Sequence, residues 1–95
     1  MNDDKELMYK ELVTVVIEKA LLNIGMYVYN TIVQILKNEY QCQISDCYEH
    51  PEYLHQVIKK HFSSAHKDIV DSINKDLRNS IKNQITKRFL DIINQ

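Results

Sequence analysis

One glycine and one proline are the only strong backbone-breaking residues among the 95 residues of the chain. A β-sandwich or a β-barrel needs turn residues at frequent intervals, and this chain does not supply them. The Rossmann loop and the P-loop each need at least two glycines, whereas Gly25 stands alone. The sequence therefore predicts a protein built from helices and excludes both common glycine-rich nucleotide-binding loops.

Length and composition point to one globular unit. Apolar residues make up 44% of the chain and charged residues 26%, which is typical of a folded domain rather than of a disordered segment. A chain of 95 residues is short enough to form one domain. We expect a single all-α domain over residues 1–95, arranged as a compact bundle of about five helices.

Apolar residues recur every three or four positions along most of the chain. This spacing predicts helices over residues 5–24, 26–39, 51–62, 65–79 and 81–93, with a short turn over 46–49. Asp3 or Asp4 is predicted to cap the first helix, and Gly25 to close it in the left-handed conformation. The last two helices could also form one continuous helix, because Asn79-Ser80 is a weak break.

The segment before the only proline has its own pattern. Asp46 and Glu49 have the spacing of a capping box, in which the Asp46 carboxylate would accept a hydrogen bond from the Glu49 amide. Proline suits the first position of a helix and biases the residue before it toward extended backbone. The sequence predicts a short turn, a hinge at His50 and a helix that begins at Pro51.

Cys42, Cys47, His50 and His55 carry the sulfur and imidazole groups that zinc prefers, and they would be the first metal ligands to test. They lack a C-x2-C pair, and Pro51 redirects the chain between the two histidines. Buried packing is also a common role for a free cysteine. We expect no metal and no cofactor, and we keep a small metal-binding helical protein as an alternative.

Catalysis has weak support in this sequence. Nucleophilic catalysis needs a nucleophile, a base and a group that orients the base. Asp46 and His50 lie close to Cys47 along the chain, whereas such triads usually assemble from distant segments around a cleft. We expect a protein that is not an enzyme, with no catalytic residue.

Charge is nearly balanced overall but uneven along the chain. The net charge is −1, from 12 basic and 13 acidic residues, which gives no global field for nucleic acid. Residues 75–95 hold five basic and two acidic side chains. Lys75, Arg78 and Lys82 would share one face if the helix is continuous there. A DNA-binding transcriptional regulator that uses this basic C-terminal helix is therefore a second alternative.

No segment reads as a membrane span or a signal peptide. Polar residues interrupt the densest apolar stretch, residues 12–24, and the chain starts with acidic residues rather than a basic segment and an apolar core. We expect a cytoplasmic protein with reduced cysteines and no contact with membranes.

The first predicted helix is apolar around more than half of its circumference from Leu12 onward. Such a helix is either central in the fold or covered by a second chain. We expect a two-fold homodimer through helix 1 or helix 2, with Val13 and Ile17 in the interface. Tyrosine is enriched at protein interfaces. Further candidate interaction residues are therefore the tyrosines Tyr27, Tyr48 and Tyr53.

The run from Asp46 to Leu54, DCYEHPEYL, stands out with residues 20–25 before it and 69–73 after it. These segments resemble the Nitrosopumilus-type output domains, small helical modules of ammonia-oxidising archaea. The resemblance covers about residues 12–93 and is most specific around Pro51. It implies an archaeal module of signal transduction or regulation, and it transfers no ligand, target or catalytic residue. We expect a non-enzymatic output module that acts through protein–protein interaction.

Overall fold

Five α-helices make up most of the described chain. The computed structural model describes residues 2–80 and 84–95, with side chains for residues 5–78 and 87–95. Within these ranges the helices are α1 (Asn2–Ile24), α2 (Met26–Tyr40), α3 (Pro51–His61), α4 (His66–Ser80) and α5 (Gln84–Ile93). Two short 3-10 helices, Ile44–Tyr48 and Ser63–Ala65, flank α3. The prediction of an all-α bundle of about five helices is confirmed.

Helix α1 lies at the centre of the packing. It contacts α2, α4 and the Ile44–Tyr48 3-10 helix, while α3 packs on α2 and α5. On α4, Ile69, Ile73 and Leu77 recur every four residues and are fully buried, as their spacing predicts. The largest fully buried side chains of the other helices are Val13, Ile17, Leu21, Ile32, Leu36, Leu54, Ile58, Phe89 and Ile93.

Gly25 alone joins α1 to α2. Its amide donates to the carbonyl of Leu21 (3.1 Å), and its carbonyl accepts from the amide of Tyr29 (3.2 Å). Its φ of 161° and ψ of 153° are extended, so the predicted left-handed conformation is wrong. Because the next helix starts immediately at Met26, the chain turns through an extended residue rather than through a left-handed cap.

One other local prediction also differs from the structure. Helix α1 begins at Asn2, so Asp3 and Asp4 lie inside its first turn instead of capping it. His61 is exposed at the end of α3. Met26 likewise points outward at the start of α2, because the buried face of that helix follows Val28, with Ile32 and Leu36 one and two turns later.

The 3-10 helix Ile44–Tyr48 begins two residues earlier than the predicted turn. This shift makes Gln43 the capping residue and moves Asp46 to the third position of the helix. The Asp46 carboxylate therefore accepts from the amide of Gln43 (2.9 Å), whereas the Glu49 amide donates to the Asp46 main-chain carbonyl (3.2 Å). Pro51 is the first residue of α3, as predicted, and His50 before it has φ −128° and ψ 63°, outside the helical region.

Helices α4 and α5 are tied together by a reciprocal pair of amide hydrogen bonds. The Asn74 side chain donates to Asn94 (2.7 Å), and the Asn94 side chain donates to Asn74 (2.9 Å). A continuous helix would hold these residues about 30 Å apart. The alternative of a single continuous C-terminal helix is therefore excluded, while the predicted helix start at Ile81 lies outside the described residues.

None of the helices in the described part of the chain is both long enough and apolar enough to cross a membrane.

Candidate interaction surface

Helix α1 has a second apolar face besides the one in the core. Met8, Val15 and Leu22 follow one another at intervals of seven residues, about two helical turns, so they form one row. Their exposed fractions are 57%, 58% and 44%, and Leu7 beside them is 56% exposed. The row and its neighbours form the outer strip of α1, which consists of Leu7, Met8, Glu11, Val15, Lys19 and Leu22.

The outer strip combines an apolar centre with a charge of each sign. Met8 and Leu22 are 14 residues apart, which corresponds to about 21 Å along the helix. Glu11 and Lys19 are exposed and lie four residues to either side of Val15. A contiguous exposed apolar row with a polar border makes the outer strip the candidate binding surface of α1.

A shallow groove of about 440 Å³ runs beside the outer strip. Leu7, Glu11 and Val15 form one wall, and Ser45 of the 3-10 helix contributes to the other. The surface is therefore not a plain convex helix, because it has a depression that an incoming side chain can enter.

Ion pairs connect α1 to its neighbours on both sides. The Lys10 ammonium lies 3.1 Å from Glu49 and 3.9 Å from Asp46, which connects α1 to the 3-10 helix and the residue after it. The Lys19 ammonium lies 3.7 Å from Asp76 of α4. These pairs are partly exposed, so each contributes at most about 1 kcal/mol, and the buried face of α1 sets most of its orientation.

Three of the residues predicted to lie in an interface are buried inside the chain. Val13 and Ile17 are fully buried in the core of the single chain, and Tyr48 is also buried. They contact the protein's own helices and offer no surface to a second molecule. The seven-residue spacing of Met8, Val15 and Leu22 was the sequence signal that could have identified the exposed row.

Two of the predicted tyrosines remain at the surface. Tyr27 is 75% exposed and lies edge-on to Phe62, with ring centroids 6.4 Å apart. Tyr53 is half-buried between the rings of Tyr40 and His50, each with its centroid 4.7 Å away. Tyr53 thus packs within its own chain, between α2 and the start of α3.

The four conditional metal ligands are not gathered into one site. Cys42 is half-buried and Cys47 buried, and neither forms a disulfide within the described residues. The His50 ring stacks on Tyr53, whereas the His55 ring packs edge-on against His66, 5.5 Å away. Across residues 2–80 and 84–95, no three His, Cys, Asp or Glu side chains are placed to hold a metal ion. The metal-binding alternative is therefore not supported by this geometry.

Several buried polar groups are held in their neutral form. Burial raises the pKa of the Cys47 thiol, and burial is also the main cause that raises the pKa of Tyr48 to about 12. Burial lowers the pKa of His66, with smaller contributions from His55 and Lys59. Among the described residues, the Tyr48 hydroxyl and one ring nitrogen of each of these two histidines have no hydrogen-bond partner. Burial thus favours the neutral form of Cys47, Tyr48 and His66.

A larger groove of about 690 Å³ lies between α1, α2 and the segment that contains Cys42. The Tyr29 hydroxyl inside it donates to the Glu18 carboxylate (3.3 Å). Burial, followed by the nearby Glu18 carboxylate, raises the pKa of Tyr29. Burial likewise raises the pKa of Cys42, so that thiol is not activated. No histidine lines the groove in the described part of the chain, so Cys42 has no imidazole base beside it there.

The predicted basic face on the C-terminal helix falls only partly within the described residues. Lys75 and Arg78 are exposed on α4, and Lys82 lies outside the described residues. The alternative of a DNA-binding regulator that uses this face therefore stays a prediction.

Comparison of the chain with protein-family models, with curated proteins and with solved structures gives no match. The resemblance to the output domains stays a prediction, and the functional argument depends on the surface of α1.

Proposed function

We propose that the protein is a non-enzymatic regulatory or signal-output module that binds a protein partner through the outer strip of α1. The observation that carries this proposal is the row of Met8, Val15 and Leu22, three large apolar side chains of which each is about half exposed. The regulatory part of the proposal comes from the resemblance in the run from Asp46 to Leu54.

The dimensions and chemistry of the outer strip suit another helix. An amphipathic helix binds by aligning apolar anchors at turn intervals along a matching row, and the strip presents such a row over about 21 Å. Glu11 and Lys19 at its borders would select orientation and register, because charges around an apolar contact discriminate between partners.

In this proposal the module acts in the cytoplasm. Cys42 and Cys47 are both unpaired in the described structure, and free thiols are typical of a reducing compartment.

Photo-cross-linking from the outer strip tests the proposal. A photoreactive amino acid would replace Val15 in the full chain, in cells of the source organism, and Lys60 on α3 is the exposed control position. We expect position 15, but not position 60, to yield a discrete cross-linked protein, and Leu22→Glu in the same chain to abolish it. A position 15 that cross-links no better than position 60 would refute binding through the strip.

A further inference from the structure

We infer that the partner of the outer strip is a second copy of this chain, with the two α1 helices antiparallel and the two-fold axis beside Val15. This inference rests on the proposed function, because it names the partner of the same surface.

The spacing of the apolar row is symmetric about Val15. In an antiparallel pair centred there, residues at equal distance from position 15 in opposite directions lie at the same level. Met8 then lies at the level of the second copy's Leu22, Leu22 at the level of the second copy's Met8, and Val15 at the level of its own equivalent. Each of these exposed side chains thus gains an apolar partner from a single self-complementary patch.

The charges of the strip have the same symmetry. Glu11 and Lys19 lie four residues before and after Val15, so each Glu11 is level with the Lys19 of the other copy. A parallel pair would instead place Glu11 beside Glu11 and Lys19 beside Lys19. Lys19 is 64% exposed and its ion pair with Asp76 is long, at 3.7 Å. Because such an exposed pair is weak, the Lys19 side chain can leave Asp76 for Glu11 of the second copy at little cost.

In the antiparallel pair, the groove beside the outer strip lies opposite side chains of the second copy. Leu7 and Glu11 line it. The second copy's Lys19 comes level with Glu11, and its Leu22 lies within one residue of the level of Leu7. The depression therefore provides room for the side chains that the symmetry brings to it.

The size of the surface predicts a reversible dimer. A row about 21 Å long and about 10–12 Å wide covers roughly 250 Å² of each copy. Standard stable interfaces bury about 800 Å² per partner. We therefore expect association in the micromolar range or weaker, so that concentration controls the dimer.

Sedimentation equilibrium from micromolar to millimolar concentration measures the association. We expect a monomer–dimer equilibrium that Val15→Glu weakens by at least about 100-fold, because it places two carboxylates at the two-fold axis. Met26→Glu is the matched control, since Met26 is 64% exposed on α2 and lies outside the strip. Both variants are expected to keep the helical circular dichroism of the wild type.

Charge reversal and cross-linking test the orientation. Glu11→Lys alone should weaken the dimer, and adding Lys19→Glu should restore it because the pairs are exchanged. With Cys42→Ser as background, a mixture of Met8→Cys and Leu22→Cys chains should form an intermolecular disulfide, whereas Met8→Cys chains alone should not. Disulfide formation by Met8→Cys alone would overturn the antiparallel arrangement.

The two proposals fail separately. A wild-type chain that stays monomeric at millimolar concentration overturns the second copy as partner. If photo-cross-linking from position 15 then captures a different protein, the proposed function survives without the dimer. A dimer that is unaffected by Val15→Glu but lost in Met26→Glu overturns the use of the strip.

Discussion

The Asp46 carboxylate holds the start of the 3-10 helix that supports α1. Its Oδ2 atom accepts a hydrogen bond from the Gln43 amide (2.9 Å), and Lys10 of α1 lies 3.9 Å from its Oδ1 atom. Asp46→Ala removes both contacts. The Asp46 main-chain carbonyl, which accepts from the amides of Glu49 and His50, is unchanged by the substitution.

The contacts of Asp46 set the expected decrease in the free energy of unfolding. Removal of a side chain that accepts a hydrogen bond from an otherwise unpaired amide at a helix start costs about 0.5–2 kcal/mol. The ion pair adds at most about 1 kcal/mol, because it is exposed and because Lys10 keeps its closer contact with Glu49 at 3.1 Å. We expect Asp46→Ala to lower the free energy of unfolding by about 1–2 kcal/mol in total. In a domain of this size each kcal/mol corresponds to a decrease of about 4–8 °C in Tm.

Urea denaturation followed by circular dichroism, at low and high salt, measures this effect. Asp46→Asn keeps an acceptor for the Gln43 amide and should lose less stability than Asp46→Ala. Glu49→Ala is the matched control, since it removes the shorter ion pair but no cap, and its small cost should vanish in high salt. If Asp46→Ala is no more destabilising than Glu49→Ala, the hydrogen bond to Gln43 does not stabilise the helix start.

Three further predictions concern Gly25, His66 and the two cysteines. Gly25→Ala should change the free energy of unfolding by less than about 1 kcal/mol, because the backbone there is extended and a Cβ would meet no described atom within 4 Å; a larger loss in urea denaturation would contradict this. Burial lowers the pKa of His66 below its ordinary value of 6.5, so its contribution to stability is complete above that pH and is lost as the pH falls through and below it. Urea midpoints from about pH 8 to 5 should therefore decrease less in His66→Gln than in the wild type. Cys42 should react with a thiol reagent in the native protein well before the fully buried Cys47, and equal rates measured by mass spectrometry would show that the core opens readily.

The helices were predictable because their signals are local. Pro51 sets the start of α3 by its own geometry, and the four-residue spacing of Ile69, Ile73 and Leu77 defines the buried face of α4. Asp46 shows the limit of such signals. Its spacing to Glu49 fitted a capping box, but the helix starts after Gln43, which is a rare capping residue and gives little warning.

The sequence predicted an interface on helix 1 or helix 2, but it did not identify the residues of the outer strip. The apolar circumference of α1 predicted a helix that is either central in the fold or covered by a second chain, and in the structure α1 is central and also keeps one exposed apolar side. It could not show which side, because apolar residues surround the helix and the contacts of α4 and the 3-10 helix decide that Val13 and Ile17 point inward. The packing of His55 against His66 is likewise a tertiary contact between α3 and α4, and no spacing along the chain reports it.

The single-residue junction at Gly25 also bears on the exchange of α1 between chains. If Gly25 became helical, α1 and α2 would merge into one rod from Asn2 to Tyr40, roughly 58 Å long, whereas the longest dimension of the folded chain is 37 Å. Helix α1 would then leave its own core and could fill the vacated place in a neighbour, which is the geometry of domain swapping. Glycine disfavours the helical conformation by about 0.5–1 kcal/mol relative to alanine. Gly25 therefore favours a chain in which α1 packs against its own core over one in which α1 and α2 form a single long helix. It thereby disfavours domain swapping of α1.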